Sequence, residues 1–300
     1  LQRFKEHGMS PMGIDPMPGI AEKATDAGIP TLPDFFTESY AQDFRQKYGP
    51  ASVVTSNNLV ADTDDLVGFI KGVKELMDSD SIFFFETFYL YLQLKNHVWD
   101  FTYHEHYSYF TVKPLVEFFS SLGLEVIHVK PNLTKGGSMR CVLQLAGGSR
   151  EVDESVNKHI ELESEMGLHG ENAEKVFNDY QKKIDDGRTS YRSLMKTLKE
   201  QGKKIVGYGA SATSTTLIYH YGMQKDFEYL VDDFDAKQGL YSPGAHIPVH
   251  PSEKIYDDRP DAIVILAWRY QEKILKRHQK FLEDGGLIIL PLPELREIRN

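Results

Sequence analysis

The chain has a single cysteine, Cys141, among its 300 residues. One thiol excludes an intramolecular disulfide and is compatible with the reducing cytosol, where we expect the protein to reside. Basic residues are also fewer than acidic ones: the chain has 34 Lys and Arg and 44 Asp and Glu, which gives a net charge of −10. No basic run offsets this charge, so nucleic acid is not expected as a partner. The sequence has no apolar run long enough for a membrane span and no secretory signal, so no membrane partner is expected.

Strand and helix patterns alternate through the first half of the chain. The apolar strand patterns fall at 12–15, 51–56 and 81–86, and helical patterns at 20–27, 38–48, 62–77 and 112–122. Two further strands, 124–129 and 139–145, are expected to form a pair at the end of the sheet. Near-continuous apolar strands separated by helices predict a parallel α/β sheet, here with an antiparallel end.

The pattern changes after Gly147-Gly148. Residues 151–200 are charged and helical in character and carry no strand signal, whereas strand patterns return at 204–208, 227–231, 262–268 and 287–290. We therefore predict an α/β fold of three parts: a Rossmann-like domain over 1–148, a helical connector over 149–200 and a second Rossmann-like domain over 201–300.

The segment Tyr103-His104-Glu105-His106-Tyr107-Ser108-Tyr109-Phe110 concentrates imidazole, carboxylate and phenol groups. Histidine titrates near neutrality, a carboxylate can fix its tautomer, and a phenol can hydrogen-bond a developing oxyanion. The pattern favours proton-transfer chemistry. Two alternatives stay open: the aromatic residues could simply pack, or the two imidazoles could bind a metal, although no third and fourth ligand is evident nearby.

A second pattern, Gly207-Tyr208-Gly209-Ala210-Ser211-Ala212, matches the G-x-G-x-x-A turn between a strand and a helix. Acids follow at Asp232-Asp233. The turn suits the phosphates of a nucleotide-linked ligand or of a dinucleotide. It could also be a tight turn that binds no ligand. Lys237, Tyr241 and His246 follow in a loop that could line the same cleft.

Three further polar segments lie at the ends of predicted strands. Asp15 ends a strand, where an α/β cofactor domain would hold a ribose, and Asn57-Asn58 indicates either a turn or a ligand contact. The turn Lys135-Gly136-Gly137-Ser138 predicts a hairpin, with an anion nest as the second interpretation.

Taken in order, these motifs resemble those of the sugar C-methyltransferases, S-adenosylmethionine-dependent enzymes that act on nucleotide-linked keto-sugars. The resemblance covers nearly the whole chain. It rests on four motifs: YHEH at 103–106 with SYF at 108–110, GGS at 136–138 with Arg140, GYGA at 207–210, and the run 237–249.

The resemblance implies a domain composition. The family has an N-terminal zinc-binding segment, a central methyltransferase domain and a C-terminal Rossmann-like domain, and this chain resembles the second and third. We therefore expect the Gly-rich cofactor loop, its strand and the zinc ligands to precede Leu1, leaving no metal in this chain. S-adenosylmethionine is the implied cofactor, with Asp15 on its ribose and Asn57 and Asn58 beside its methionine end.

The resemblance also implies roles in catalysis. His106 would be the base that removes the acidic proton beside the sugar carbonyl, Glu105 would orient an imidazole or contact the sugar, and Tyr103 would hydrogen-bond the enolate oxygen. A nucleotide-diphospho-sugar is the implied substrate, bound at Tyr208, Gly209, Ala210, Ser211, Lys237 and His246.

Two positions depart from the family pattern, which has His where this chain has Asp62 and Lys135. They put the acceptor and the site of methylation in doubt. Two other functions stay open: an NAD(P)-dependent oxidoreductase, suggested by the Gly207–Ala212 turn with Asp232, and a non-catalytic nucleotide-sugar-binding module that has the same fold.

Overall fold

The computed structural model describes residues 1–300. The chain forms two compact units that alternate along the sequence. The N-terminal unit contains Leu1–Thr87, Tyr107–Pro131 and Met139–Ile160, and the C-terminal unit contains Phe88–His106, Asn132–Ser138 and Glu161–Asn300. The predicted domain limits at 148 and 200 stay a prediction.

The helices are α1 (Gln2–Glu6), α2 (Pro18–Asp26), α3 (Glu38–Tyr48), α4 (Leu66–Leu76), α5 (Leu90–Lys95), α6 (Val112–Ser121), α7 (Glu154–Met166), α8 (Ala173–Glu200), α9 (Ala212–Tyr221), α10 (Lys254–Asp258), α11 (Gln271–Arg277) and α12 (Gln279–Glu283). The strands are β1 (Gly13–Ile14), β2 (Thr31–Leu32), β3 (Val53–Asn57), β4 (Ile82–Phe88), β5 (Leu124–Asn132), β6 (Ser138–Leu145), β7 (Ile205–Tyr208), β8 (Leu230–Val231), β9 (Val249–His250), β10 (Ala262–Ile265), β11 (Leu287–Leu290) and β12 (Arg296–Ile298). No helix combines the length and apolar character needed to cross a membrane.

The predicted α/β fold is confirmed. In the first half, β3, β4, β6 and β5 form a four-stranded sheet in that order, and β3 and β4 are parallel. β6 and β5 are neighbours at one end of the sheet, as predicted, and only a few residues connect them. Since parallel neighbours need a crossover of a dozen or more residues, this pair is antiparallel. β1 and β2 form a separate parallel pair.

The second half contains a six-stranded sheet in the order β12-β11-β10-β7-β8-β9. All of its neighbours are parallel except β12, which is antiparallel to β11. The central strands are apolar and buried, as expected for a parallel sheet covered on both faces. Their core includes Val206, Val231, Ile263 and Ile288. Each strand predicted for this half is present: β11 has the predicted bounds, and β7, β8 and β10 are shorter than predicted.

A buried histidine makes the stability of the C-terminal unit sensitive to pH. His278 is 2% exposed, with Nδ1 3.0 Å from the Tyr256 hydroxyl and Nε2 3.3 Å from the Tyr208 hydroxyl. Burial lowers the pKa of its imidazole, and the Arg277 guanidinium lowers it further, against the opposing effect of Asp233 and of another nearby acid.

We expect the His278→Phe variant to lose part of the acid sensitivity of the wild type. The unfolded imidazole takes up a proton near pH 6.5, whereas the folded one does so only at lower pH. The unfolded state therefore binds more protons below about pH 6.5, and stability decreases as the pH falls through that range. Urea unfolding between pH 7 and pH 5 measures the slope. An unchanged slope in His278→Phe would contradict this assignment.

Candidate functional site

In the N-terminal unit, polar residues lie where two parallel strands end. Asn57, the last residue of β3, pairs in register with Glu86 of β4. Asn58 then turns the chain with φ 54°, and its amide donates to the Glu86 carbonyl at 2.7 Å. A positive φ is uncommon outside glycine, although asparagine tolerates it better than most residues. The arrangement holds the Asn58 side chain at the carboxyl edge of the sheet, where α/β proteins bind ligands.

Three side-chain oxygens at this edge are buried without a hydrogen-bond partner: Ser56 Oγ, Asn58 Oδ1 and Thr87 Oγ1. Buried polar atoms in native proteins are nearly always hydrogen-bonded, so a cluster of exceptions needs an explanation. A ligand with hydrogen-bonding groups would satisfy these atoms. Asn58 was predicted from the sequence as a ligand contact, whereas Ser56 and Thr87 were not. The only sequence signal was their position at the ends of apolar strands.

Glu86 is a further residue that the sequence analysis missed. It is 6% exposed, and its Oε2 accepts from Arg140 Nε at 2.8 Å. An acid that ends the apolar run of β4 was the available signal. The ion pair places a buried, charge-compensated carboxylate on the residue that pairs with Asn57 in register.

Asp15 lies at the end of a different sheet. It follows β1, is half-buried, and its Oδ1 accepts from the Met17 amide at 2.9 Å. β1 pairs with β2 and not with the four-stranded sheet. The structure thus places Asp15 at a strand end, as predicted, but does not join it to Asn57 and Asn58 by strand pairing.

In the C-terminal unit, His106 lies among aromatic rings. Its ring centroid is 4.4 Å from that of Phe88, edge to face, and 4.5 Å from that of Tyr103. The Lys135 ammonium lies over the Phe88 ring, 5.1 Å from its centroid. The structure therefore brings together His106 and Tyr103, two of the three predicted catalytic residues, and adds a cation nearby.

The neighbours of His106 in the sequence are exposed. His104 and Glu105 point to solvent, whereas Tyr103 and His106 are half-buried. The Glu105 carboxylate forms no hydrogen bond with an imidazole in the structure, so of its two predicted roles a contact with the sugar suits its position better. No group of three or more His, Cys, Asp or Glu side chains is arranged to hold a metal ion.

The predicted Gly-rich turn lies at the carboxyl end of β7. A Cβ on Gly209 would approach Ala267 Cβ to 2.7 Å, and φ is +110° there, so the turn requires glycine. Ser211 begins α9 as its N-cap, accepting from the Ser214 amide at 3.2 Å. Tyr208, by contrast, buries its side chain and donates to Asp233 at 2.9 Å. Burial raises the pKa of Tyr208 to about 12, and only its backbone faces the turn.

An internal carboxylate occupies this turn. Asp232 Oδ2 accepts from the Ala210 amide at 2.7 Å and lies 3.2 Å from Lys237 Nζ. A phosphate that binds the Ala210 amide must displace this carboxylate. A ribose or sugar hydroxyl, in contrast, could donate to it directly. From the sequence, Asp232 was predicted only as part of a dinucleotide site.

A cavity of about 190 Å³ lies beside the turn. Its lining includes Ala210, Ser214, Lys237 and Tyr241. This volume is below the usual range for whole-ligand pockets, so the cavity suits one part of a ligand. His246, predicted to bind substrate, is exposed with φ 51° and does not line the cavity.

Two family models, one curated protein and one solved structure are similar to this chain. Residues 133–293 match the family described as "C-methyltransferase C-terminal domain", and residues 1–129 match "Methyltransferase domain". The C-methyltransferase NovU of Streptomyces niveus is 32% identical over 299 residues, covering 99% of this chain and 70% of NovU. A SAM-dependent methyltransferase from Anabaena variabilis has a TM-score of 0.36 at 12% identity over 48% of this chain and 72% of its own, too low to support a further conclusion.

Proposed function

The chain belongs to the family of S-adenosylmethionine-dependent C-methyltransferases, and we propose that it methylates a carbon beside the ketone of a nucleotide-diphospho-sugar. We assign residues 1–148 to the methyltransferase domain, 149–200 to the helical connector and 201–300 to the nucleotide-sugar-binding domain. The single observation that best supports the reaction is the enclosure of His106 by Phe88 and Tyr103, with the Lys135 ammonium on the same aromatic group.

The N-terminal unit has residues that fit the cofactor. The unpartnered oxygens of Ser56, Asn58 and Thr87 suit the amine and hydroxyl donors of S-adenosylmethionine. The Asp15 carboxylate at the end of β1 suits two ribose hydroxyls. When bound, S-adenosylmethionine supplies an electrophilic methyl group attached to a sulfonium.

The C-terminal unit supplies the residues for deprotonation. A ring nitrogen of His106 takes the proton from the carbon beside the carbonyl and leaves an enolate, which is general base catalysis by an imidazole. The Tyr103 hydroxyl donates to the enolate oxygen, and the Lys135 ammonium supplies positive charge to the same region. Glu105, exposed next to them, contacts a hydroxyl of the sugar.

Substrate binding on the Gly-rich turn follows from its geometry. Gly209 to Ser211 present the beginning of α9 to the pyrophosphate, and Lys237 adds a positive charge. Asp232 must leave the Ala210 amide when the pyrophosphate binds there. The cavity beside the turn accepts another part of the nucleotide-sugar.

Equilibrium binding tests this function against its alternatives. We expect S-adenosylhomocysteine to bind the full-length enzyme in isothermal titration calorimetry, and NADPH and NADH to show no binding in the same range. Micromolar binding of a nicotinamide cofactor without binding of S-adenosylhomocysteine would support the oxidoreductase instead. A non-catalytic module would bind nucleoside diphosphates and yield no methylated product with any nucleotide-linked keto-sugar.

The Asn58→Gly variant tests the cofactor site. Glycine adopts the positive φ of this position readily, so we expect stability to change by less than about 1 kcal/mol. Loss of Oδ1 removes one hydrogen bond, which we expect to weaken S-adenosylhomocysteine binding about tenfold. The control is Arg259→Gly, which makes the same backbone change at φ 46°. Equal affinity in the two variants would remove Asn58 from the site.

The Asp232→Asn variant tests the anion site. It removes the negative charge that competes for the Ala210 amide, so we expect uridine or thymidine diphosphate to bind about tenfold more tightly. The exposed Asp235→Asn variant is the matched control, and calorimetry measures both. Weaker binding in Asp232→Asn would contradict a pyrophosphate at this turn and would show that the carboxylate binds a hydroxyl of the ligand.

A further inference from the structure

A buried ion pair in the C-terminal unit joins residues that are far apart in the sequence. Asp100 is 0% exposed, and its two carboxylate oxygens accept from Arg269 Nη1 at 3.0 and 2.8 Å. Oδ2 also accepts from Trp268 Nε1 at 3.0 Å. Trp268 and Arg269 follow β10, at the carboxyl edge of the six-stranded sheet.

Stability alone does not explain such a pair. Burial is the main effect on Asp100 and raises the pKa of its carboxyl group, against the opposing effect of Arg269. Buried ion pairs often contribute no more than well-packed apolar residues of similar volume, because desolvation offsets their attraction. In several proteins their role is to specify one arrangement of the chain. The contacts of Arg269 show which segments this pair holds together.

Arg269 has two further contacts, one with α9 and one with Phe101. Its Nη2 donates to Thr213 Oγ1 at 3.0 Å, in the first turn of α9. Its guanidinium carbon lies 4.3 Å from the Phe101 ring centroid. One side chain thus contacts the helix that follows the Gly-rich turn and the segment that contains His106.

The Phe101 ring extends this contact toward His106. Phe101 lies 5.0 Å from Phe88, centroid to centroid, and Phe88 lies 4.4 Å from His106. A second series of ring contacts runs from Phe101 to Tyr103 at 6.3 Å and from Tyr103 to His106 at 4.5 Å. Both series begin at the ring on which the guanidinium stacks. Displacement of Arg269 would therefore release both rings that flank His106.

We propose that Arg269, held by Asp100, is a positioning residue that fixes the segment of residues 98–106 and thereby the imidazole of His106. It acts through Phe101, Phe88 and Tyr103 and does not touch substrate. Its importance for turnover rests on the proposed function of His106 as the base, whereas its effect on the imidazole position does not. Sequence gives no indication of this role, since Asp100 and Arg269 are 169 residues apart.

The test uses the Asp100→Asn/Arg269→Met double variant of the whole chain. Removing both charges avoids a buried unpaired carboxylate, so this variant is the one expected to fold. Circular dichroism verifies the fold. The readout is the nuclear Overhauser effect between the His106 ring protons and the rings of Phe88 and Tyr103 in protein with labelled histidine and aromatic residues. The His106→Asn variant assigns the signal, and Arg299→Met, an exposed arginine, is the control.

We expect these Overhauser effects to be lost in the double variant and retained in Arg299→Met. With a nucleoside-diphosphate keto-hexose as substrate, kcat should fall about 100-fold with the KM for S-adenosylmethionine unchanged, because a displacement near 1 Å has an effect of that size. Retention of the Overhauser effects would overturn the proposal. Their loss with normal turnover would support the positioning role and contradict His106 as the base, so the two failures are distinguishable.

Discussion

The His106→Asn variant is expected to lose methyl transfer by about 10²- to 10⁴-fold in kcat, the range over which general bases contribute to catalysis. Asparagine keeps polarity and approximate volume but cannot accept a proton from carbon at neutral pH. Binding of S-adenosylmethionine should change by less than about twofold, because its proposed ligands Asp15, Asn57 and Asn58 belong to the N-terminal unit. Steady-state kinetics and calorimetry measure the two quantities.

The matched control for this variant lies two residues away in the sequence. His104 is exposed and belongs to the same motif, so His104→Asn should retain near-normal turnover. An equal loss in both variants would indicate that the segment as a whole is needed rather than one imidazole. Near-normal turnover in His106→Asn would exclude the proposed base.

The Arg269→Met variant is expected to be the most destabilising of the substitutions considered. It leaves the Asp100 carboxylate, 0% exposed, with the Trp268 indole as its remaining side-chain hydrogen-bond donor. Breaking one half of a buried ion pair costs about 3 to 5 kcal/mol, because the remaining charge is uncompensated. Urea denaturation gives the free energy of unfolding from the midpoint and the slope.

Restoring charge balance should recover most of this loss. In the Asp100→Asn/Arg269→Met double variant, no net charge stays buried at this site, so we expect its stability to exceed that of Arg269→Met. If the double variant is as unstable as Arg269→Met, packing of the arginine stem and not the charge of Asp100 is responsible. Arg299→Met should match the wild type.

Much of the fold was predictable because its longer helices and strands have recognisable apolar patterns in the sequence. β4 and β11 are continuous apolar runs, and α4 has apolar residues at helical spacing. These patterns are long enough to assign a strand or a helix from sequence. β2, β9 and β12 were missed, because strands of two or three residues show no period and exist only through pairing with neighbours. The alternation of the two compact units was also not predictable, since contacts between distant segments leave no local signal.

The candidate site was predictable where chemistry is local to a motif. His106 and Tyr103 are three residues apart and indeed meet, and Gly209 adopts the conformation that its turn requires. The bond from Ala210 to Asp232 and the pair of Asp100 with Arg269 depend on the tertiary fold. Glu105 and His246 were predicted as site residues because they belong to the motifs at 103–106 and 237–249. The structure shows both side chains exposed.

Deuterium exchange is the most direct measurement of the proposed chemistry. The protein is incubated in D₂O with a nucleoside-diphosphate keto-hexose and S-adenosylhomocysteine, so that deprotonation occurs without methyl transfer, and proton NMR follows the carbon beside the ketone. We expect the wild type and His104→Asn to introduce deuterium there and His106→Asn to introduce none above the uncatalysed rate. Exchange by His106→Asn at the wild-type rate would contradict the assignment of His106 as the base.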